Sequence, residues 1–287
     1  QLKNLQSERE KYQIWINNNE PNEQGLEKQR NTKFKIEPKF SIVVPMYNTP
    51  VNFFEELVDC LIDQTYSNWE LCLADGSAEK NQKLESIINK DSRIKYKFIN
   101  ENKGISGNTN EALTLATGDY IALVDHDDLL PVFCLYELTK TINENPNVEF
   151  IYTDEDKIEG TKENRCDPHF KPDFAPDTLR ANNYITHLSV FKKELMEKLG
   201  GFREKYNGAQ DFDINALWKM IAACKERGAK VMLSINGMRD SKKKDISATP
   251  PDGLFKRKVL VNCGTSMIDR LQNNGKEMKD KRVDDQL

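Results

Sequence analysis

The chain has 287 residues, 38% of them hydrophobic and 31% charged, and a formal net charge of −4. That length suffices for one large or two modest domains around a sizeable core, with a wet, globular surface. No run reaches the roughly 18 apolar residues of a membrane span, the polar start Gln1 to Glu10 is no signal peptide, and the acidic body argues against nucleic acid as the main partner, because phosphate backbones need neutralising cations.

The charge is uneven. Residues 213–287 hold 16 Lys+Arg and 10 Asp+Glu, a net +6, which leaves 42 − 16 = 26 basic and 46 − 10 = 36 acidic residues before them, a net −10. Such a sign change marks segments of different character. The six cysteines, at 60, 72, 134, 166, 224 and 263, form no C-x-x-C pair and no zinc spacing, which favours buried free thiols in a reducing compartment such as the cytoplasm.

In chain order, residues 1–38 read as a polar, charge-rich arm whose apolar cluster is Tyr12, Ile14, Trp15 and Ile16. Asn19-Glu20-Pro21 breaks any helix before it, and Leu26 to Phe34 allows a second short one. Phe40 to Val44 predicts a central strand that stops at Pro45, with Met46-Tyr47-Asn48 as its carboxyl-end loop. Phe53, Phe54, Leu57, Val58, Leu61 and Ile62 recur at helical spacing. Trp69 to Ala74 predicts a strand ending in Asp75-Gly76-Ser77, then a helix over Lys83–Asn89 and a strand over Ile94–Ile99. Asn102 to Gly107 is a glycine-bearing loop before a helix from Asn108 to Ala116.

Tyr120 to Val124 is too short an apolar run for a helix and long enough for a buried strand. Three carboxylates, Asp125, Asp127 and Asp128, follow within four residues. They can be hard oxygen ligands for Mg or Mn, or Asp127 or Asp128 can cap a helix beginning near Pro131. A helix to about Asn143 and a strand over Phe150–Thr153 come next, then the acidic Asp154-Glu155-Asp156, which could hold a metal or an acceptor sugar but reads best as a charged hairpin turn. Phe170 to Asp177 is Pro-broken loop suited to gripping a substrate. Tyr184 to Phe191 is a strand-like run in which His187 reads as a hydrogen-bonded core residue. Leu195–Leu199 is helical, Gly200-Gly201-Phe202 turns, and Asn207 to Asp213 opens a further helix.

Alternating strands and helices predict an α/β fold with a mixed, mainly parallel sheet flanked by helices. The loops carrying Tyr47-Asn48, Asp75-Gly76-Ser77 and Asp125-His126-Asp127-Asp128 converge on the carboxyl edge of that sheet, where open α/β sheets bind ligands.

The set Ser41 to Asn48, Ala74 to Ser77, Gly118 to Asp128, Gly200-Gly201-Phe202 and Gln210-Asp211 resembles the family 2 glycosyltransferases. Trp15 and Tyr152 to Lys157 are similar to a bacterial surface-polysaccharide branch of that family. The resemblance covers about residues 10–213 and implies a GT-A fold (a nucleotide-diphospho-sugar transferase fold) and an inverting, metal-dependent transfer from a nucleotide-sugar, a UDP-sugar foremost, to a hydroxyl of a saccharide or lipid-linked saccharide in cell-surface polysaccharide synthesis. It implies that Asp75 binds the base, that Pro45, Tyr47, Asn48, Gly104 and Asn108 line the nucleotide pocket, that Asp125 contacts the ribose, that Asp127 and Asp128 hold Mn or Mg, and that Asp211 is the catalytic base. It places the protein in the cytoplasm or at the inner face of the membrane. The implied domains are a helical arm over 1–38, a GT-A domain over 39–213 and an atypical basic segment over 214–287.

Beyond Asp213 the family pattern stops. Helix Ile214–Arg227, strand Lys230–Ile235, loop Asn236–Asp252 and strand Val259–Val261 are expected there. Lys230 to Gly237, Asn262 to Met267 and Val283-Asp284-Asp285 have a weak similarity to the carboxyl part of DNA adenine methyltransferases, but the Asp-Pro-Pro-Tyr motif and the glycine-rich cofactor motif are absent, so methyl transfer is not expected. Two alternatives stand beside the transferase: a nucleotide-sugar binding protein without turnover, and a nucleic-acid-binding fusion through the basic tail, which includes Lys242-Lys243-Lys244.

Overall fold

The computed structural model describes residues 2–175, 178–179, 183–203 and 230–235. Asp211 and the expected elements of the tail other than Lys230–Ile235 lie outside the described residues. The elements are α1 (Leu2–Asn19), α2 (Glu23–Arg30), β1 (Phe40–Met46), α3 (Val51–Ile62), β2 (Trp69–Asp75), α4 (Lys83–Ile88), β3 (Ile94–Phe98), α5 (Gly104–Leu113), β4 (Tyr120–Leu123), α6 (Cys134–Glu144), β5 (Val148–Thr153), β6 (Glu155–Glu159), β7 (Thr161–His169), β8 (Ser189–Lys192), α7 (Lys193–Leu199) and β9 (Lys230–Ile235). They form a seven-stranded sheet of order β3-β2-β1-β4-β8-β5-β9 and a two-stranded sheet of β6 and β7. The chain divides into two compact units, Pro21–Ile151 with Thr186–Val231, and Gln1–Glu20 with Tyr152–Ile185 and Met232–Leu287.

In the first unit, β1 pairs in parallel with β2 from Phe40↔Trp69 to Met46↔Asp75 and with β4 from Phe40↔Tyr120 to Val43↔Leu123. β2 is buried along its whole length and β1 at all but Pro45, which is why both read as apolar runs rather than alternating ones. The β4 register ends at Val43, so Pro45, with no N–H to give, continues β1 where it is paired on one side only. Helix α3 buries Phe54, Leu57, Val58 and Leu61, and α6 buries Leu135, Leu138, Thr139 and Ile142, each set at the 3–4 spacing that makes one apolar stripe. Burying each such side chain contributes about 1.5–3 kcal/mol.

A buried carboxylate ties the opposite ends of these strands together. Glu70, 1% exposed, sits at the start of β2. Ser41 Oγ donates to it at 2.7 Å, Thr117 N at 2.5 Å and Thr117 Oγ1 at 2.8 Å, while Lys39 Nζ and Lys95 Nζ pair with it at 2.5 and 2.8 Å. Ser41 Oγ in turn accepts from Gly118 N at 2.8 Å, and Lys39 N donates to Asp119 at 2.8 Å. Burial alone would raise the Glu70 carboxyl, but the hydrogen bonds from Lys39, Lys95, Thr117 and Ser41 outweigh it and hold the group well below the usual carboxylate range.

In the second unit, β6 and β7 form an antiparallel hairpin from Glu155↔His169 to Glu159↔Thr161, turning at Gly160 with φ +82°. The expected charged hairpin therefore exists, but Glu155 and Asp156 lie in its first strand and not at its turn. Tyr12 donates to Asp156 at 2.5 Å, and Arg165 bridges Asp156 at 2.6 Å and Glu20 at 2.7 Å. Trp15 stands edge-on to Phe170 at 4.8 Å between centroids. Lys171, 0% exposed, pairs with Glu155 at 2.9 Å, and its burial lowers the ammonium below its usual value. Cys60, Cys72, Cys134 and Cys166 are thiols outside any disulfide, and no described helix is long and apolar enough to cross a membrane.

Because its folded-state pKa is depressed, Glu70 contributes stability that is complete above the ordinary carboxylate range and is lost as the pH falls toward the folded value. Glu70→Gln is expected to lose about 2–4 kcal/mol at pH 7. Urea midpoints should fall more steeply between pH 5 and 3 in the wild type than in this variant.

Candidate active site

The site residues stand at the carboxyl ends of β1, β2 and β4. Asp75 ends β2 and is 1% exposed. Ser77 N and Ser77 Oγ donate to its Oδ1 at 2.9 and 2.5 Å, and Tyr96 Oη donates to its Oδ2 at 2.8 Å. Ser77 Oγ also accepts from Asn48 N at 2.8 Å, which pins Asn48 at φ 49°. Asn tolerates this left-handed conformation better than most residues. Beside it, Tyr47 is left 48% exposed.

Gly104 opens α5 at φ 71°, and its N–H donates to Asn102 Oδ1 at 2.9 Å. Asn108 is 2% exposed, and its amide faces inward. Nδ2 donates to Met46 O and to Asn102 Oδ1, each at 3.3 Å, and Oδ1 accepts from Lys103 N at 3.2 Å. Asn108 therefore braces the end of β1 against the Asn102–Lys103 loop. This close approach explains Gly76, where a Cβ would lie 2.7 Å from Asn108 Nδ2 and 3.0 Å from Glu101 O. Two residues further along α5, Asn110 accepts from Phe202 N and donates to Phe202 O, both at 2.8 Å. That pairing docks the Gly200-Gly201-Phe202 turn onto the helix.

The chain leaving β4 makes a turn in which Asp128 N donates to Asp125 O at 3.2 Å. A turn of this kind brings residues i and i+3 together and leaves i+2 at its tip. Asp125 and Asp128 thus converge, and Asp127 is exposed. Helix α6 starts at Cys134 with Phe133 at its N-cap and no side-chain cap, so neither Asp127 nor Asp128 caps it.

His187 completes the group. The run from Tyr184 is not one strand, since β8 begins only at Ser189, and His187, at φ 54°, is not a core residue. Its side chain is 47% exposed, with Nδ1 3.1 Å from Asp128 Oδ2. β8 runs antiparallel to β4, with Leu123↔Ser189 and Tyr120↔Lys192 paired. Its beginning therefore lies beside the end of β4, which delivers His187 to the carboxyl edge. One ligand atom from each of Asp125, Asp128 and His187 lies within 4.8 Å of the others. Two carboxylates and an imidazole within that span are a chemically reasonable donor set for a divalent ion of the Mn type.

The structure thus gathers Pro45, Tyr47, Asn48 and Asp75 on neighbouring strand ends and joins Asp125 to Asp128, while Asp127 stands apart from the cluster and Gly104 and Asn108 lie in α5, from which Asn108 braces the end of β1. His187, Tyr96, Ser77 and Asn110 gain roles that their sequence context did not mark. No signal in the sequence marks His187, because the antiparallel sense of β8 that brings it to this edge is not written in the run of residues itself.

Comparison with known proteins agrees with this geometry. The family model for Glycosyl transferase family 2 matches residues 41–200. An uncharacterized protein of Sinorhizobium fredii is 43% identical over 194 residues, which are 66% of this chain and 20% of that one. The O-antigen biosynthesis protein RfbC of Myxococcus xanthus is 28% identical over 206 residues, 71% of this chain and 16% of RfbC. The chain therefore spans about a fifth or less of the length of these relatives. Among solved structures, S. aureus TarS 1-349 in complex with UDP superimposes with a TM-score of 0.55 at 18% identity, covering 69% of this chain and 57% of that one, a likeness of fold.

Gly76→Ala is expected to force Asn108 out of its place and to destabilise the protein by about 1–3 kcal/mol, the usual cost of overpacking. Thermal unfolding of Gly76→Ala, with Asn108→Ala and the double variant alongside, checks this. The glycine substitution should cost less once the Asn108 amide is gone.

Proposed function

Because the chain belongs to Glycosyl transferase family 2, we propose that it is the donor-binding, GT-A part of an inverting glycosyltransferase. It would move a sugar from a nucleotide-diphospho-sugar, a UDP-sugar foremost, to a hydroxyl of a saccharide or lipid-linked saccharide in surface-polysaccharide synthesis. The observation that carries the reading is the Asp125–Asp128–His187 cluster on the same sheet edge as Asp75. The UDP bound to TarS and the O-antigen role of RfbC give it support.

In this reading Asp75 accepts a hydrogen bond from the base, and Pro45, Tyr47 and Asn48 line its pocket, with Gly104 and Asn108 shaping the loop opposite. Asp125 reaches the ribose. Asp128 and His187 would hold a divalent ion, joined by Asp127 if its exposed side chain turns inward, Mn fitting the nitrogen-containing set better than Mg. When bound, such an ion supplies positive charge where departure of the nucleoside diphosphate builds negative charge. Asp211 takes the proton of the attacking hydroxyl on the opposite face of the sugar, so the anomeric configuration inverts.

Calorimetry with UDP, GDP and dTDP, with and without Mn, tests the reading. Tight binding of one nucleotide that requires Mn is expected. His187→Ala should weaken it by about 10–100-fold, at least the loss seen when a metal site is deprived of an outer partner. Loss in Asp128→Asn alone would put the ion on the cluster, and equal loss in Asp127→Asn would give Asp127 a full share. Asp211→Asn should keep nucleotide binding and lose about 10²–10⁴-fold in turnover. Failure of all three nucleotides to bind would overturn the reading.

A further inference from the structure

The carboxylate of Asp75 is surrounded by donors whose directions are all set. Asn48 N–H donates to Ser77 Oγ, which commits the Ser77 hydroxyl hydrogen to Asp75 Oδ1, where Ser77 N–H also donates. On the other side, Tyr96 lies on β3 opposite Leu73, two residues short of Asp75 and on its face of the sheet, so its hydroxyl reaches Asp75 Oδ2 along the diagonal. A carboxylate accepts about four hydrogen bonds. Three positions are taken, and one remains on Oδ2.

We propose that Tyr96, acting through Asp75, makes this pocket selective for a nucleobase that presents an imino N–H over one that presents a ring-nitrogen lone pair. The inference rests on the reading of Asp75 as the base-binding residue. Uracil and thymine carry that N–H at N3 and guanine at N1, whereas cytosine N3 and adenine N1 carry lone pairs. A lone pair turned toward an acceptor-only group is repelled, and the repulsion is strongest away from water. Asp75 is 1% exposed, so little water reaches the carboxylate to soften that repulsion. Tyr96 is the group that holds the carboxylate in this attitude. Burial, and then the hydrogen bond to Asp75, push its phenol above the usual value, so it stays a donor throughout the working pH range. Tyr96 is thus a positioning residue, and the readout that separates it from a merely structural one is base discrimination.

The test is calorimetry with two matched pairs, UDP against CDP and GDP against ADP, in the presence of Mn. Within each pair the ribose and diphosphate are identical and the base differs. The wild type is expected to favour the imino member of the pair it binds by at least about 100-fold, as sites with committed polar groups do. Tyr96→Phe should fold, with a thermal midpoint near the wild type, and shrink that ratio about tenfold by weakening the imino member alone. Asp75→Asn, which offers an amide donor to a ring lone pair, should turn the preference toward CDP or ADP. An unchanged ratio in Tyr96→Phe removes Tyr96 from the role, and wild-type preference for CDP or ADP overturns the base class. If Tyr96→Phe fails to fold, the Asp75→Asn outcome decides, a retained imino preference counting against the inference. Binding of none of the four nucleotides would sink the donor-site reading itself, an outcome distinct from binding without discrimination.

Discussion

A single buried carboxylate, Glu70, sets the frame on which the site is built. It joins the beginnings of β1, β2 and β4 through Ser41, Thr117 and two lysines. An unpaired carboxylate at that depth would be strongly destabilising, so the three strands can start only where their donors meet it. From there the register runs unbroken along β1 and β2 to Met46↔Asp75. The placement of Asp75 beside the loop of Tyr47 and Asn48 is thus decided at the other end of the strand, about 17 Å away at the usual rise of about 3.3 Å per residue.

The functional edge is held by side chains that bond to backbone. Asn108 holds Met46 O and Lys103 N, Asn110 holds both polar groups of Phe202, and Ser77 holds Asn48 N. Loops at a sheet edge have few ladder bonds of their own, and buried amides supply the missing partners. The result is a set of loops placed by the sheet yet shaped by three short polar side chains. This is the kind of preorganisation that a ligand's phosphates and base would otherwise have to impose at their own cost in ordering.

Much of this was legible in the chain. β1, β2 and β4 are apolar runs because both faces of the sheet are covered, and α3 and α6 show their stripes plainly. What stayed hidden depends on direction and on turn geometry. Gly104, Ser106 and Gly107 are weak helix formers and point to a helix start at Asn108, yet α5 begins at Gly104, where Asn102 takes its N–H. The spacing of Asp125, Asp127 and Asp128 suggests that the last two act together, whereas the turn brings Asp125 to Asp128. The apolar residues around His187 read as one strand, which hides it among core positions. Nothing in a run of residues tells which way a strand points, and it is the antiparallel sense of β8 that carries His187 to the edge.

The antiparallel entry of β8 also bears on folding. Asp125 and Asp128 find each other within one turn, but the imidazole sits just ahead of a strand whose pairing closes a loop of roughly sixty residues, a slow and entropically costly step relative to local pairing. The cluster is therefore complete only after the parallel sheet has been joined by its reversed neighbour. A ligand that needs all three side chains would bind the finished fold and no partly assembled one, and its binding would draw the folding equilibrium toward completion.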